Sequence, residues 1–254
     1  MKQVSLITLI LKKPKCLIDI IKYCFDIIYN SSLNNELKSY ELRQIHSTII
    51  GMEKLLASNH YYNSNIWKDF RQKKEMIFDC LQNIIKEYFP IQIKIGGFNK
   101  QFREFTSSGY YPYERTFQIQ LSSKKITIIG WPIKGGKVVS QLFSLRNSIE
   151  KYANIRHKYA DKNDNDFYMV IGELNDEFYG FGKYSEELKV EISTIEQKVR
   201  DYLSINPCEF IITEKDLYFA QYEHVTLPLN STNFFNLKNE AISPDFIKKL
   251  YSDK

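Results

Sequence analysis

The sequence predicts an α+β protein built of two β-α-β-type halves, and three observations carry that expectation. Apolar, β-branched runs alternate with longer segments of helical spacing, in the order β-α-β-α-β-β-α-β-α-β-β. Only 10 glycines and 7 prolines stand among 254 residues, so long flexible linkers are not expected. Ile50-Gly51, late in one strand-like run, is echoed by Ile171-Gly172, late in another that also follows a helix.

Val4 to Leu11 is a run of apolar and β-branched residues interrupted only by Ser5, as in a buried strand. Pro14 suits a first helical turn, after which Leu17, Ile20, Ile21, Cys24, Phe25 and Ile28 recur at helical spacing. Asn30 to Asn35 is turn material, and Leu42 to Met52 reads as a strand. Asn59 to Asn65 is loop-like. Ile66 to Phe89 then reads as one long helix with a stripe at Phe70, Ile77, Leu81, Ile84, Ile85 and Tyr88. "PIQIKIGGF" alternates with period two, the pattern of a half-exposed strand. An aromatic loop at Tyr110 to Tyr113 precedes strands at Phe117 to Leu121 and Ile126 to Trp131.

Val138 to about Tyr159 is helical in spacing, "ADKNDND" breaks it, and Phe167 to Leu174 is a strand. A loop holding Gly180 and Gly182 leads to Ser185, a plausible N-cap for a helix reaching about Leu203. The final strands are expected at Glu209 to Thr213, Leu217 to Ala220 and Glu223 to Leu229, with a short helix in "SPDFIKKLY".

Hydrophobic residues at 43% and charged residues at 26% describe an ordinary globular chain. A net charge of +5 is compatible with an anionic ligand but too small to mark a nucleic-acid-coating surface. The run "RQKKE" (71–75) is a solvated helix face on this reading. The four cysteines lack C-x-x-C spacing and are expected as reduced core thiols of a cytoplasmic protein. The apolar run at the N-terminus ends in Lys12-Lys13 without a small-residue cleavage site, and nothing approaches the ~18 apolar residues of a membrane helix. No membrane association is expected.

Two of the four histidines stand in the same three-residue pattern, His46-Ser47-Thr48 and His224-Val225-Thr226, each in a strand-like run. In a strand, residues i and i+2 share a face, so each pattern presents an imidazole beside a hydroxyl. An imidazole moves protons near neutral pH, and a hydroxyl can hold a phosphate oxygen. Facing one another, the two pairs would make a metal-free site for in-line chemistry at phosphorus.

On "IHSTIIG", and on the element order from about residue 3 to 229, the chain resembles the two-histidine (2H) phosphoesterases, the superfamily of 2′-5′ RNA ligases and cyclic phosphodiesterases. The resemblance implies a bilobal fold of mostly antiparallel sheets with flanking helices. A single domain would span 1–229, in halves of about 1–135 and 136–229, with 230–254 as a C-terminal tail. It also implies a metal-independent phosphodiesterase without cofactor, acting on a cyclic phosphate or a 2′-5′-type linkage of a nucleotide or short RNA. One histidine accepts a proton while the other protonates the leaving oxygen, and Thr48 and Thr226 hold non-bridging oxygens.

The second half departs from the family pattern. By element order its motif belongs on "DFYMVIGEL", where matching the two Ile-Gly pairs sets Phe167 against His46 and Met169 against Thr48. Two readings stay open. Either His224 and Thr226 complete the site from the last strand, or the half-site has decayed and the protein binds a nucleotide or a partner without catalysis.

Tyr111, Tyr113 and Arg115 are further candidates, as base-stacking rings and a phosphate clamp, although a loop packed on its own aromatics is the commoner outcome. Trp131 is a candidate stacking residue, although a core position at a strand end is the commoner outcome. His60 and His157 lack a partner pattern and are expected at the surface. Gly96-Gly97 and Gly135-Gly136 read as turns rather than phosphate loops.

Overall fold

The computed structural model describes residues 2–55, 60–175, 186–239 and 243–252; the expected Ser185 cap and the Gly180–Gly182 loop lie outside them. The first part comprises β1 (Gln3–Thr8), α1 (Lys15–Tyr29), β2 (Leu37–Ser39), β3 (Ser47–Gly51), α2 (Ser64–Phe70), α3 (Leu81–Tyr88) and β4 (Ile91–Ile95). The middle of the chain forms α4 (Pro112–Arg115), β5 (Phe117–Gln120), β6 (Lys125–Lys134), β7 (Lys137–Val138), α5 (Gln141–Ala153) and β8 (Phe167–Leu174). It ends with α6 (Glu186–Ile205), β9 (Cys208–Ile212), β10 (Leu217–Tyr222), β11 (Asn233–Asn236) and α7 (Pro244–Lys249). The fold is α+β: one sheet of eleven strands runs β11-β10-β1-β3-β8-β6-β4-β9, with β2 on β8 and β5 and β7 on β6. The pairings along it are antiparallel.

One face of the sheet carries the main core, to which α1 brings Leu17, Ile20, Ile21, Cys24 and Ile28, and α5 brings Leu142, Leu145 and Ile149. Burial alternates along β8, with Phe167, Met169 and Ile171 fully inside and Tyr168 and Val170 half-exposed on the other face. Gly130 lets β4 close on β6, since a Cβ there would lie 2.7 Å from the Lys94 carbonyl.

A three-element unit occurs twice, as β1-α1-β3 and as β6-α5-β8. In each, the last strand lies antiparallel beside the first and carries one extra residue. Ile49 is passed over between the pairs Leu6↔Ile50 and Ile7↔Thr48, and Ile171 between Ile126↔Gly172 and Thr127↔Val170. The two bulged strands meet each other at Ser47↔Met169.

Several expectations are corrected. The single helix over 66–89 is two short ones, because Arg71 takes a left-handed backbone (φ 56°) that closes α2. The following stretch is extended, with Met76 and Phe78 buried and Ile77 exposed, and its amides bond to the Tyr61 and Ala153 carbonyls at 2.9 and 2.8 Å. The strand expected over 223–229 is absent: β10 ends at Tyr222, and the Leu227 amide closes a turn on the His224 carbonyl at 3.0 Å. Cys16 and Cys208 form a disulfide between α1 and β9, so only Cys24 and Cys80 are free thiols. No spacing rule could have paired residues so remote in the chain. The segment after 229, expected as a tail, adds β11 beside β10, and Ile247, Leu250 and Tyr251 enter the main core. Among the described residues no helix is long and apolar enough to cross a membrane.

Candidate functional site

The face of the sheet turned away from the main core lines a cleft of about 970 Å³, large enough for a drug-sized ligand. His46, Thr48, Tyr168 and Val170 stand together on its floor. About the pair Ser47↔Met169, positions 46 and 48 of one strand face 170 and 168 of the other. Such cross-strand neighbours are about 4.5–5.5 Å apart at Cβ when opposite and about 7–8 Å when diagonal.

The bulges correct the expected match between the halves by one residue. Setting Ile49 on Ile171, as the pairing about Ser47↔Met169 requires, places His46 on Tyr168 and Thr48 on Val170. Phe167 and Met169 point instead into the main core, because a one-residue slip moves a side chain to the other face of a sheet.

His46 sits just before β3, and its Nδ1 is 2.8 Å from the Gln44 carbonyl. A carbonyl only accepts, so Nδ1 carries the proton and Nε2 is left as the acceptor of the neutral ring. Burial lowers the His46 pKa to about 4, helped by the charges of Lys13 and Lys125 and opposed by the bond to Gln44. The Gln44 amide also donates to the Thr226 carbonyl at 3.0 Å, so one side chain ties the His46 segment to the turn holding Thr226. Lys13 donates to the Ile10 and Leu42 carbonyls at 3.1 and 2.6 Å, and burial lowers its pKa to about 8.

The Tyr168 hydroxyl donates to Gln120 Oε1 at 3.2 Å; burial above all pushes its pKa up to about 12, so the phenol stays protonated. At the open side between β3 and β8, Arg146 reaches from α5 to the carbonyls of Ile49, Thr48, Asp164 and Asp166 and to the Asp164 carboxylate. His157 Nε2 lies 2.7 Å from the same carboxylate.

The remaining candidates divide. Thr226 lines the cleft, but His224 is exposed in the turn beside it and is not part of the lining, because the strand meant to hold it stops short. Arg115 lines the cleft with three of its five N–H donors engaged: Nε and Nη2 bond Asp166 at 3.1 and 2.9 Å, and Nη1 bonds Gln118 at 2.6 Å. Trp131 is a core residue, its Nε1 bonded to Asp166 at 2.9 Å and its ring set edgewise against Phe98 and Phe105. Tyr113 is buried with its hydroxyl on Asp201 at 2.8 Å, and Tyr111 stands outside the lining with the Arg103 guanidinium 4.2 Å from its ring centre. His157, expected at the surface, is only 7% exposed and lines the cleft.

Tyr168, Lys125, Gln44 and Arg146 escaped the sequence reading. The parity of β8 is the signal that would have found Tyr168, since it is, with Glu173, one of two polar side chains at the half-exposed positions of a strand otherwise apolar. Among the described residues no group of three or more His, Cys, Asp or Glu side chains is gathered so as to hold a metal ion.

No family model matches this sequence, and no curated protein does. Among solved structures, a conserved protein of unknown function from Agrobacterium tumefaciens str. C58 is similar with a TM-score of 0.44 and 9% identity, over 93% of this chain and 84% of that one.

Proposed function

We propose that the chain binds a phosphate ester of the nucleotide or short-RNA class in this cleft. On this reading the fold is a bilobal 2H phosphoesterase-like one in which only the first half keeps its histidine–threonine pair. The four-residue floor is the observation that carries the proposal: His46, just before β3, and Thr48 on β3 stand across from Tyr168 and Val170 on β8. A hydroxyl, a phenol and an imidazole line it together, and Lys125 lines the same cleft. Two-histidine turnover needs a second imidazole; Tyr168, held protonated, cannot serve as the paired base, and Val170 offers no hydroxyl.

A second reading, slow phosphodiester cleavage by His46 alone, is favoured by one observation: the ring is neutral across the physiological range and its Nε2 is an acceptor. Equilibrium binding and turnover, measured in EDTA with 2′,3′-cyclic nucleotides, 2′-5′ oligonucleotides and cyclic dinucleotides, separate the two. Binding that His46→Ala weakens, without turnover, is the expected result. Efficient cleavage lost in His46→Ala would establish the second reading, and the absence of both binding and cleavage would defeat the first.

A further inference from the structure

The charges around the floor of the cleft are unbalanced. The carboxylates that line it are mostly consumed within the protein. Asp164 is held by Arg146 and His157, Asp166 by Arg115, and Glu196 by Arg200, while Glu53 accepts from the Tyr222 hydroxyl at 2.7 Å. Glu114, on α4, is the remaining acid of the lining. Lys125 is in no ion pair among the described residues; Glu173 stands opposite it in register on β8, outside ion-pair distance. Among the described residues, Lys13 donates to the Ile10 and Leu42 carbonyls. Burial above all lowers the His46 pKa, and the charges of both lysines add to it.

Val170, in the place equivalent to Thr48, supplies no donor to an anion, and Lys125 sits on the neighbouring strand just beyond it. An ammonium is a compact charge with three rotatable donors. His46 Nε2 meanwhile needs a proton from whatever it meets. A singly charged phosphomonoester can give one from its P–OH, whose ionisation lies at about pH 6. A diester anion has none to give, and would turn an oxygen lone pair toward a nitrogen lone pair.

We infer that this end of the cleft is a terminal-phosphate subsite, in which Lys125 with the Thr48 hydroxyl holds a phosphomonoester in preference to a phosphodiester. The inference rests on the nucleotide reading above and narrows its ligand class.

Calorimetric titration of a nucleoside 3′-monophosphate against its methyl ester tests it, since the pair differs by one methyl group and one ionisable proton. The monoester is expected to bind at least tenfold more tightly. Lys125→Met should weaken the monoester about tenfold and narrow that ratio, and Lys125→Arg should preserve it. An ester that binds as well as the monoester, or a ratio untouched in Lys125→Met, would overturn the inference while leaving the nucleotide reading standing. If neither nucleotide binds, the nucleotide reading falls, and inorganic phosphate reads the subsite alone. A shift of the His46 ring resonances that disappears in Lys125→Met upholds it, and no shift in the wild-type protein overturns it.

Discussion

Arg146 donates from Nη2 to the carbonyl of Thr48 at 3.1 Å and, from the same nitrogen, to the carbonyl of Asp166 at 3.2 Å. One guanidinium from α5 therefore fixes the two strands that form the floor of the cleft at the place where their own pairing stops. Beyond Ser47↔Met169, β3 and β8 exchange no further ladder pair, and backbone groups that would lie unsatisfied find Arg146 instead.

Replacing Arg146 by Met should thus cost more than an ordinary buried substitution. It strands several carbonyls and the Asp164 carboxylate, and breaking a buried charge pair from one side costs about 3–5 kcal/mol. Denaturant unfolding monitored by circular dichroism should show the midpoint falling accordingly. A change under 1 kcal/mol would mean the guanidinium does not carry the floor.

The acid limb of stability should bear the mark of His46. Its folded pKa of about 4 lies below the ordinary histidine value, so protonation favours the unfolded chain. Stability contributed by the neutral ring is complete above about pH 6.5 and is lost as pH falls toward 4, by roughly 3 kcal/mol at most. His46→Gln should flatten the pH dependence across that window, and NMR titration of the ring should show no midpoint above pH 5.

On the reading proposed above, supplying a second imidazole–hydroxyl pair should change what the cleft does. In Tyr168→His with Val170→Thr, both halves present an imidazole and a hydroxyl to the same floor. The double variant is expected to cleave 2′,3′-cyclic nucleotides in EDTA at least 10²-fold faster than the wild type, within the usual contribution of a positioned acid or base. His224→Ala, by contrast, should leave ligand affinity within about twofold.

Thiol counting under denaturing conditions should find two reactive groups, Cys24 and Cys80, and four after reduction. The bond joins residues 192 apart, and loss of such a cross-link typically removes about 2–5 kcal/mol. Cys16→Ser should lower the thermal midpoint to match, and Cys24→Ser should leave the thiol count after reduction at three.

Much of the fold was legible because local periodicity decides it. The apolar spacing of α1 and the period-two burial of β4 are statements about which side chains meet the core. The site was legible at His46 and Thr48, where an imidazole and a hydroxyl flank one buried residue. It was not legible on β8, because the repeat of Ile-Gly suggested a register that the bulges overrule. A bulge is defined by the partner strand, so the sequence of β8 alone does not contain it. The same limit hid the disulfide and Arg146, whose partners lie in other elements. His224 misled for the opposite reason: its triplet is locally complete, but the turn on Leu227 (φ 50°) takes it off the sheet.

The closing strand β11 also decides where the chain can be shortened. Its pairing with β10, together with the Gln221 amide donating to the Leu250 carbonyl at 2.6 Å, covers what would otherwise be a bare ladder of amides and carbonyls. A truncation at Leu229 would uncover that flank, and an uncovered flank recruits strands from other molecules. Shortened preparations would then self-associate through β10, at the border of the sheet remote from β9.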